Sequence, residues 1–274
     1  MSGESAVRIA LLLPDVLGTY SDRGNATVLA QRLRWRGIPA EVLHVTADTT
    51  PPTDCEVFLL GGGEDAAQAY AAEWLNQHRS LGTAMLTRQV LAVCAGLQLL
   101  GSWMQTADGD RIAGAGILDL TTSAGRHRAV GEVVAEATAP GVAPLTGFEN
   151  HRGHTTLSPD TAPLGRVVVG VGNGDGSDGA LTDTVIGTYL HGPVLARNPD
   201  LADLLLRRAT GLTLSPLQVP GEDDARRLHL HPQRRRHHPP GTRPGQQEMP
   251  PGPPTTSPQT RTRRGDDPGS PGCE

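Results

Sequence analysis

The sequence predicts an α/β protein built on a doubly wound, mostly parallel sheet with helices on both faces. Three observations carry this. Apolar, strand-like runs alternate with helix-periodic segments through the first hundred residues. Two of those runs, "FLLGGGED" at 58–65 and "LAVCAGLQLLG" at 91–101, end in small-residue turns that lead straight into helical sequence. After residue 113 the strand-like segments crowd together, which predicts mixed pairing in the second half.

The elements follow in order. "VRIALLL" (7–13) is a continuous apolar run, the mark of a buried parallel strand. "NATVLAQRLRWRG" (25–37) has apolar residues at helical spacing and stops at a glycine. "AEVLHV" (40–45) and "CEVFLLGGG" (55–63) are further strands, and "EDAAQAYAAEWLNQHRSL" (64–81) a helix. "QVLAVC" (89–94) is a strand that feeds a helix over 97–104. "GAGILDL", "AVGEVVAEAT", "GRVVVGVG" and "TVIGTYL" supply the later strands, and "PDLADLLLRRATG" (199–211) closes the domain as a helix. No internal repeat interrupts this series.

Composition sets the limits. Of 274 residues, 37% are apolar and only 3% aromatic, so the core must come from Val, Leu, Ile and Ala. The net charge of −5 offers no basic footprint for nucleic acid. All 24 basic residues other than histidine are arginine, and a Walker-type phosphate loop needs a lysine. Any ATP used by the full reaction therefore belongs to another chain. The cysteines, Cys55, Cys94 and Cys273, form neither a disulfide framework nor a CxxC site. No basic, apolar leader opens the chain, and no run is long enough to span a membrane. A cytoplasmic protein without membrane insertion is expected.

The sequence divides into a domain at 1–220 and a tail at 221–274. The tail holds 11 of the 23 prolines and no aromatic residue, too little apolar surface to offset the entropy of ordering. Disorder is expected there. An out-of-frame origin is the alternative to a native tail, because Arg, Pro, Gly and His are what shifted reading of a GC-rich gene yields.

In an open α/β sheet, ligands bind beyond the carboxyl ends of the strands. Cys94 sits at such an end, followed by Ala95 and Gly96 and then helical sequence. A sharp strand-to-helix turn lifts a side chain out of the sheet and aims backbone N–H groups at a developing oxyanion. A core thiol fits the local pattern equally well. Gly61–Gly63 form a second bare turn at a strand end. A nucleophilic cysteine needs a histidine to take and return its proton. His191 is best placed, where "TVIGTYL" ends in a Gly-Pro turn; His151 and His154 are rivals. No metal-ligand spacing is present, so no metal is expected.

These motifs resemble a known family. "VCAGLQLLG" is similar to the Cys-x-Gly-x-Gln elbow of class I glutamine amidotransferases, whose fold is flavodoxin-like. "LLGGG" and "GTYLHGP" match the cobyric-acid-synthase-like branch. "LPDVLGTYSDRGNATVLAQRLRWRG" (13–37) and "GFENHRGHT" (147–155) resemble the glutaminase subunits of lipid II isoglutaminyl synthases, the GatD type.

The resemblance implies that L-glutamine is hydrolysed through a Cys94 thioester, with His191 moving the proton. Gly62 and Ala95 would donate to the oxyanion, and Gln98 would contact glutamine. Arg128 matches a position that binds the substrate carboxylate, with Arg126 as a rival. It also implies a heterodimer: ammonia passes to a Mur-ligase-like partner (MurT type), which binds ATP and Mg and amidates D-glutamate on lipid II. No cofactor is expected in this chain. Where many class I enzymes carry Glu two residues after the catalytic His, this sequence has Pro193. The third triad member is then implied to be an Asp of the partner, with Glu149 and Asp65 as competing sources. A corrinoid-pathway amidotransferase and a catalytically silent scaffold are the alternative functions.

Overall fold

The computed structural model describes residues 5–18 and 23–230. The chain runs through β1 (Val7–Leu12), α1 (Gly24–Arg34), β2 (Ala40–Val45), β3 (Val57–Leu60), α2 (Asp65–Gln77), α3 (Arg79–Met85), β4 (Gln89–Val93) and α4 (Ala95–Leu100). A second set follows: β5 (Trp103–Gln105), β6 (Arg111–Ala113), β7 (Leu120–Ala137), β8 (Leu145–Leu157), β9 (Gly165–Val169) and β10 (Ser177–Asp178). β11 (Ala180–Leu181), β12 (Val185–Thr188), α5 (Val194–Arg197), α6 (Pro199–Thr210) and α7 (Glu222–Leu230) complete it.

The first sheet has strand order β11-β12-β4-β3-β1-β2, and only the β11–β12 pair is antiparallel. Its central strands β3, β4 and β12 are buried at every position, whereas the edge strand β2 is mostly half-buried, with Glu41 and His44 exposed. This is why the central strands read as unbroken apolar runs: both of their faces are covered. One group of helices, α1, α5 and α6, packs together, and α2, α3 and α4 form another. Leu29 and Leu33 from α1, Leu75 from α2 and Leu201 and Leu205 from α6 meet Ile9, Phe58 and Leu91 of the sheet in one core. Among the described residues, Tyr189 and Phe58 are the aromatic rings buried completely.

The second half forms a separate sheet, β10-β9-β7-β5-β6, with β8 added to β7. β7 and β8 make a long antiparallel pair whose register breaks between Ala124 and Ala129.

Four expectations are corrected. The helix expected over 64–81 is two helices, because His78 leaves helical dihedrals (φ −102°, ψ 60°) between them. The helix expected over 97–104 is α4, which ends at Leu100 with Gly101 extended against Leu120. The strand expected at 114–120 is a loop until Leu120. Its N–H groups are spent on the last carbonyls of α4: Ala115 donates to Leu99, and Ile117 and Leu118 to Leu100. Finally, residues 222–230 of the expected disordered tail form α7. Glu222 bonds Arg32 at 2.8 Å and Arg226 bonds the Pro144 carbonyl at 2.9 Å. The remainder of that expectation, 231–274, lies outside the described residues.

Candidate active site

Cys94 joins β4 to α4 at φ 55° and ψ −107°. Leu13 and Cys94 are the non-glycine residues with positive φ among the described residues. Such a conformation costs on the order of 1–3 kcal/mol and persists only where the surroundings enforce it. Two bonds enforce it here. The Cys94 N–H donates to the Thr188 carbonyl on β12 at 2.8 Å, and the Gly96 N–H donates to the Gly61 carbonyl at 3.1 Å. A Cβ on Gly96 would lie 2.7 Å from the Leu60 oxygen, so only glycine lets α4 start this close to β3.

The Cys94 turn opens on a cavity of about 390 Å³, walled by Gly63, Asp65, Gln98, Arg128 and His151 among others. The register break in β7 is what brings Arg128 there. Residues 125–128 leave the β7–β8 ladder, and the Arg128 Nε donates to the Asn150 Oδ1. Arg126, the rival, lines a different hollow with Ser123 and His154. Gln98 is buried, and its amide donates to the Tyr189 hydroxyl at 3.1 Å. Tyr189 in turn hydrogen bonds Thr155 at 2.7 Å.

The two turns meet through the Gly96 N–H, which donates to the Gly61 carbonyl. Ala95 is the first residue of α4 and so has no acceptor for its N–H within that helix. The Gly62 carbonyl accepts the Gly18 N–H at 2.8 Å, which fixes the Gly61–Gly63 turn against the loop after β1.

The three histidines differ. His191 follows the end of β12 and is buried; its main chain exchanges two hydrogen bonds with Phe148, at 2.8 and 3.1 Å. His151 is buried on β8, stacks on Tyr189 at 3.8 Å and walls the cavity. His154 is exposed and borders the outer hollows. Of the two competing carboxylates, Glu149 accepts from the Val171 and Gly172 N–H groups, both at 2.9 Å. Asp65 accepts from the Ala107 N–H at 3.1 Å.

Sequence reasoning missed Tyr189, Asn150 and Asp178. Asp178 is fully buried and receives the Thr188 hydroxyl at 2.6 Å and the Tyr189 N–H at 3.2 Å. Burial pushes its carboxyl up to about 6, against the pull of those two donors. It thereby braces the strand end that holds the Cys94 N–H and leads to His191. Nothing in "GSDGAL" marks Asp178; it reads as a turn residue.

Residues 8–199 match the CobB/CobQ-like glutamine amidotransferase domain. The chain belongs to this family. This amidotransferase is similar to two proteins named lipid II isoglutaminyl synthase (glutamine-hydrolyzing) subunit GatD. That of Staphylococcus aureus (strain N315) is 35% identical over 218 residues, covering 77% of this chain and 88% of the relative. That of Streptococcus pneumoniae (strain ATCC BAA-255 / R6) is 33% identical over 230 residues, covering 80% and 86%. The cobyric acid synthase of Parasynechococcus marenigrum (strain WH8102) is 36% identical over 204 residues, but the match covers only 38% of it, against 69% of this amidotransferase. A solved structure titled as a glutamine amidotransferase shares the fold, with a TM-score of 0.51 at 16% identity, covering 74% of this chain and 99% of its own.

Proposed function

We propose that this amidotransferase is the glutaminase subunit of a lipid II isoglutaminyl synthase. The observation that carries the reading is Cys94, held in a strained turn on a cavity that Arg128 and Gln98 also wall, in a chain 35% identical to a GatD subunit over most of its length. Arg128 pairs with the glutamine carboxylate, a task suited to a planar, two-pronged cation. Gln98 contacts the bound substrate. The Cys94 sulfur attacks the amide carbon while His191 takes the thiol proton. The N–H groups of Gly62 and Ala95 receive the oxyanion. His191 returns the proton to the leaving nitrogen, ammonia departs, and a thioester remains. Water then attacks the thioester carbon, releasing glutamate and restoring the thiol.

Ammonia passes to a Mur-ligase-like partner of the MurT type, which binds ATP and Mg and amidates the D-glutamate of lipid II. The chain's want of lysine suits this division of labour. A cytoplasmic site of action follows, since ATP is spent there; among the described residues no helix is long and apolar enough to cross a membrane. The corrinoid alternative is weaker because the match to cobyric acid synthase spans little more than a third of that protein.

The test is Cys94→Ala in the complex with the partner. Glutamine-dependent amidation should vanish while amidation from added ammonia persists. Loss of both would mean that Cys94 holds the fold and carries no chemistry.

A further inference from the structure

The inner row of β8 is chemically odd. Residues 149, 151, 153 and 155 are all buried, and they are Glu, His, Gly and Thr instead of aliphatics. Burying a carboxylate and an imidazole costs free energy that only full hydrogen bonding offsets. Here both side chains have polar partners. Glu149 takes the Val171 and Gly172 N–H groups and faces the His151 Nε2 at 3.3 Å. The His151 Nδ1 lies 3.0 Å from the Gly153 carbonyl. The two ring nitrogens are thus turned toward the Glu149 carboxylate and the Gly153 carbonyl.

What this row holds is Tyr189. His151 stacks on its ring with centroids 3.8 Å apart, and Thr155 bonds its hydroxyl at 2.7 Å. Gly153 passes so close that a Cβ there would lie 2.7 Å from that hydroxyl and 2.3 Å from the Gln98 amide. Tyr189 is the junction between the two halves of the site. Its hydroxyl fixes Gln98, and its chain neighbour Thr188 accepts the Cys94 N–H. His191 follows two residues on.

We propose that Glu149 and His151 are a positioning pair for glutamine hydrolysis: they lock the Tyr189 ring, and through it Gln98 and the 188–191 segment, beside Cys94. This rests on the glutaminase reading above. It gives His151 a task other than that of the base, and gives the "GFENH" segment a role.

The experiment measures glutaminase kinetics of the full chain with its partner. The variants are His151→Phe, His151→Gln, Tyr189→Phe and the His151→Phe/Tyr189→Phe double, with His191→Ala as reference. His151→Phe keeps a ring against Tyr189 but has nothing to donate. We expect kcat to fall about tenfold with KM changed less than about twofold. His151→Gln, which restores one donor, should recover part of the loss. Because both residues act through one ring, the double variant should be no worse than the more severe single one. Unchanged kcat in folded His151→Phe, no recovery in His151→Gln, or fully additive losses would each overturn the pair. Collapse of His151→Phe to the His191→Ala level would overturn it too, by making His151 the base. No glutaminase activity in the wild-type complex would instead overturn the parent reading, and this one with it.

Discussion

Cys94 and Asp178 are both buried, and the sequence announced only one of them. The cysteine stood in a local pattern of strand, small residues and helix, so its turn was legible. Its positive φ, a property of the surroundings, was not legible, and the proposal of a nucleophile over a core thiol leans on it. Asp178 gave no signal because its partners, Thr188 and Tyr189, come from a different strand end. It carries a pH signature. Its carboxyl titrates near 6 in the folded chain, above its usual 3.8, so the folded state holds that proton more tightly. The stabilisation is therefore complete below about pH 4 and fades as pH rises through 6. It amounts to on the order of 2–3 kcal/mol. Urea unfolding of wild type and Asp178→Asn at pH 4 and pH 7 should show wild type losing that amount relative to the variant. Parallel pH curves would refute the assignment. The same contrast explains the arginines. Spacing left Arg126 and Arg128 as rivals, and only the bulge in β7 distinguishes them.

At the scale of elements, the first sheet was legible because its strands are covered on both faces and so read as apolar runs. β8 was not. Its inner row is polar, and without alternation between apolar and polar residues "GFENHRGHTTL" does not look like a strand. The loop at 114–118 misled in the opposite sense: it is apolar enough for a strand, but it is consumed in closing α4. The start of α4 rests on Gly96, where any side chain meets the Leu60 carbonyl. Gly96→Ala should lower stability by about 1–3 kcal/mol, since backbone on both sides must move. Thermal unfolding would record this as a lower Tm, and an unchanged Tm would show that the α4 start has slack.

For the whole molecule, the composition break near residue 220 was visible, yet the ordered body extends past it. Arg32 explains how. Its buried guanidinium bonds Asp203 of α6 through two nitrogens, at 2.8 and 2.9 Å, and Glu222 of α7 at 2.8 Å. Burial alone would lower its proton affinity, but the two carboxylates raise it overall. Arg32→Ala leaves Asp203 and Glu222 without that partner, and a buried pair broken from one side costs about 3–5 kcal/mol. Chemical denaturation would show the drop; a loss below about 1 kcal/mol would place the pair in the class of surface ion pairs. The register break at 124–129 has a different kind of consequence. Elsewhere in the β7–β8 ladder, one inserted residue would turn every later side chain to the opposite face. Residues 125–128 stand outside the ladder, so a change of length there re-aims Arg128 and leaves the pairing beyond Ala129 intact. That one bend can therefore change the wall of the cavity without rebuilding the sheet that holds the Cys94 turn.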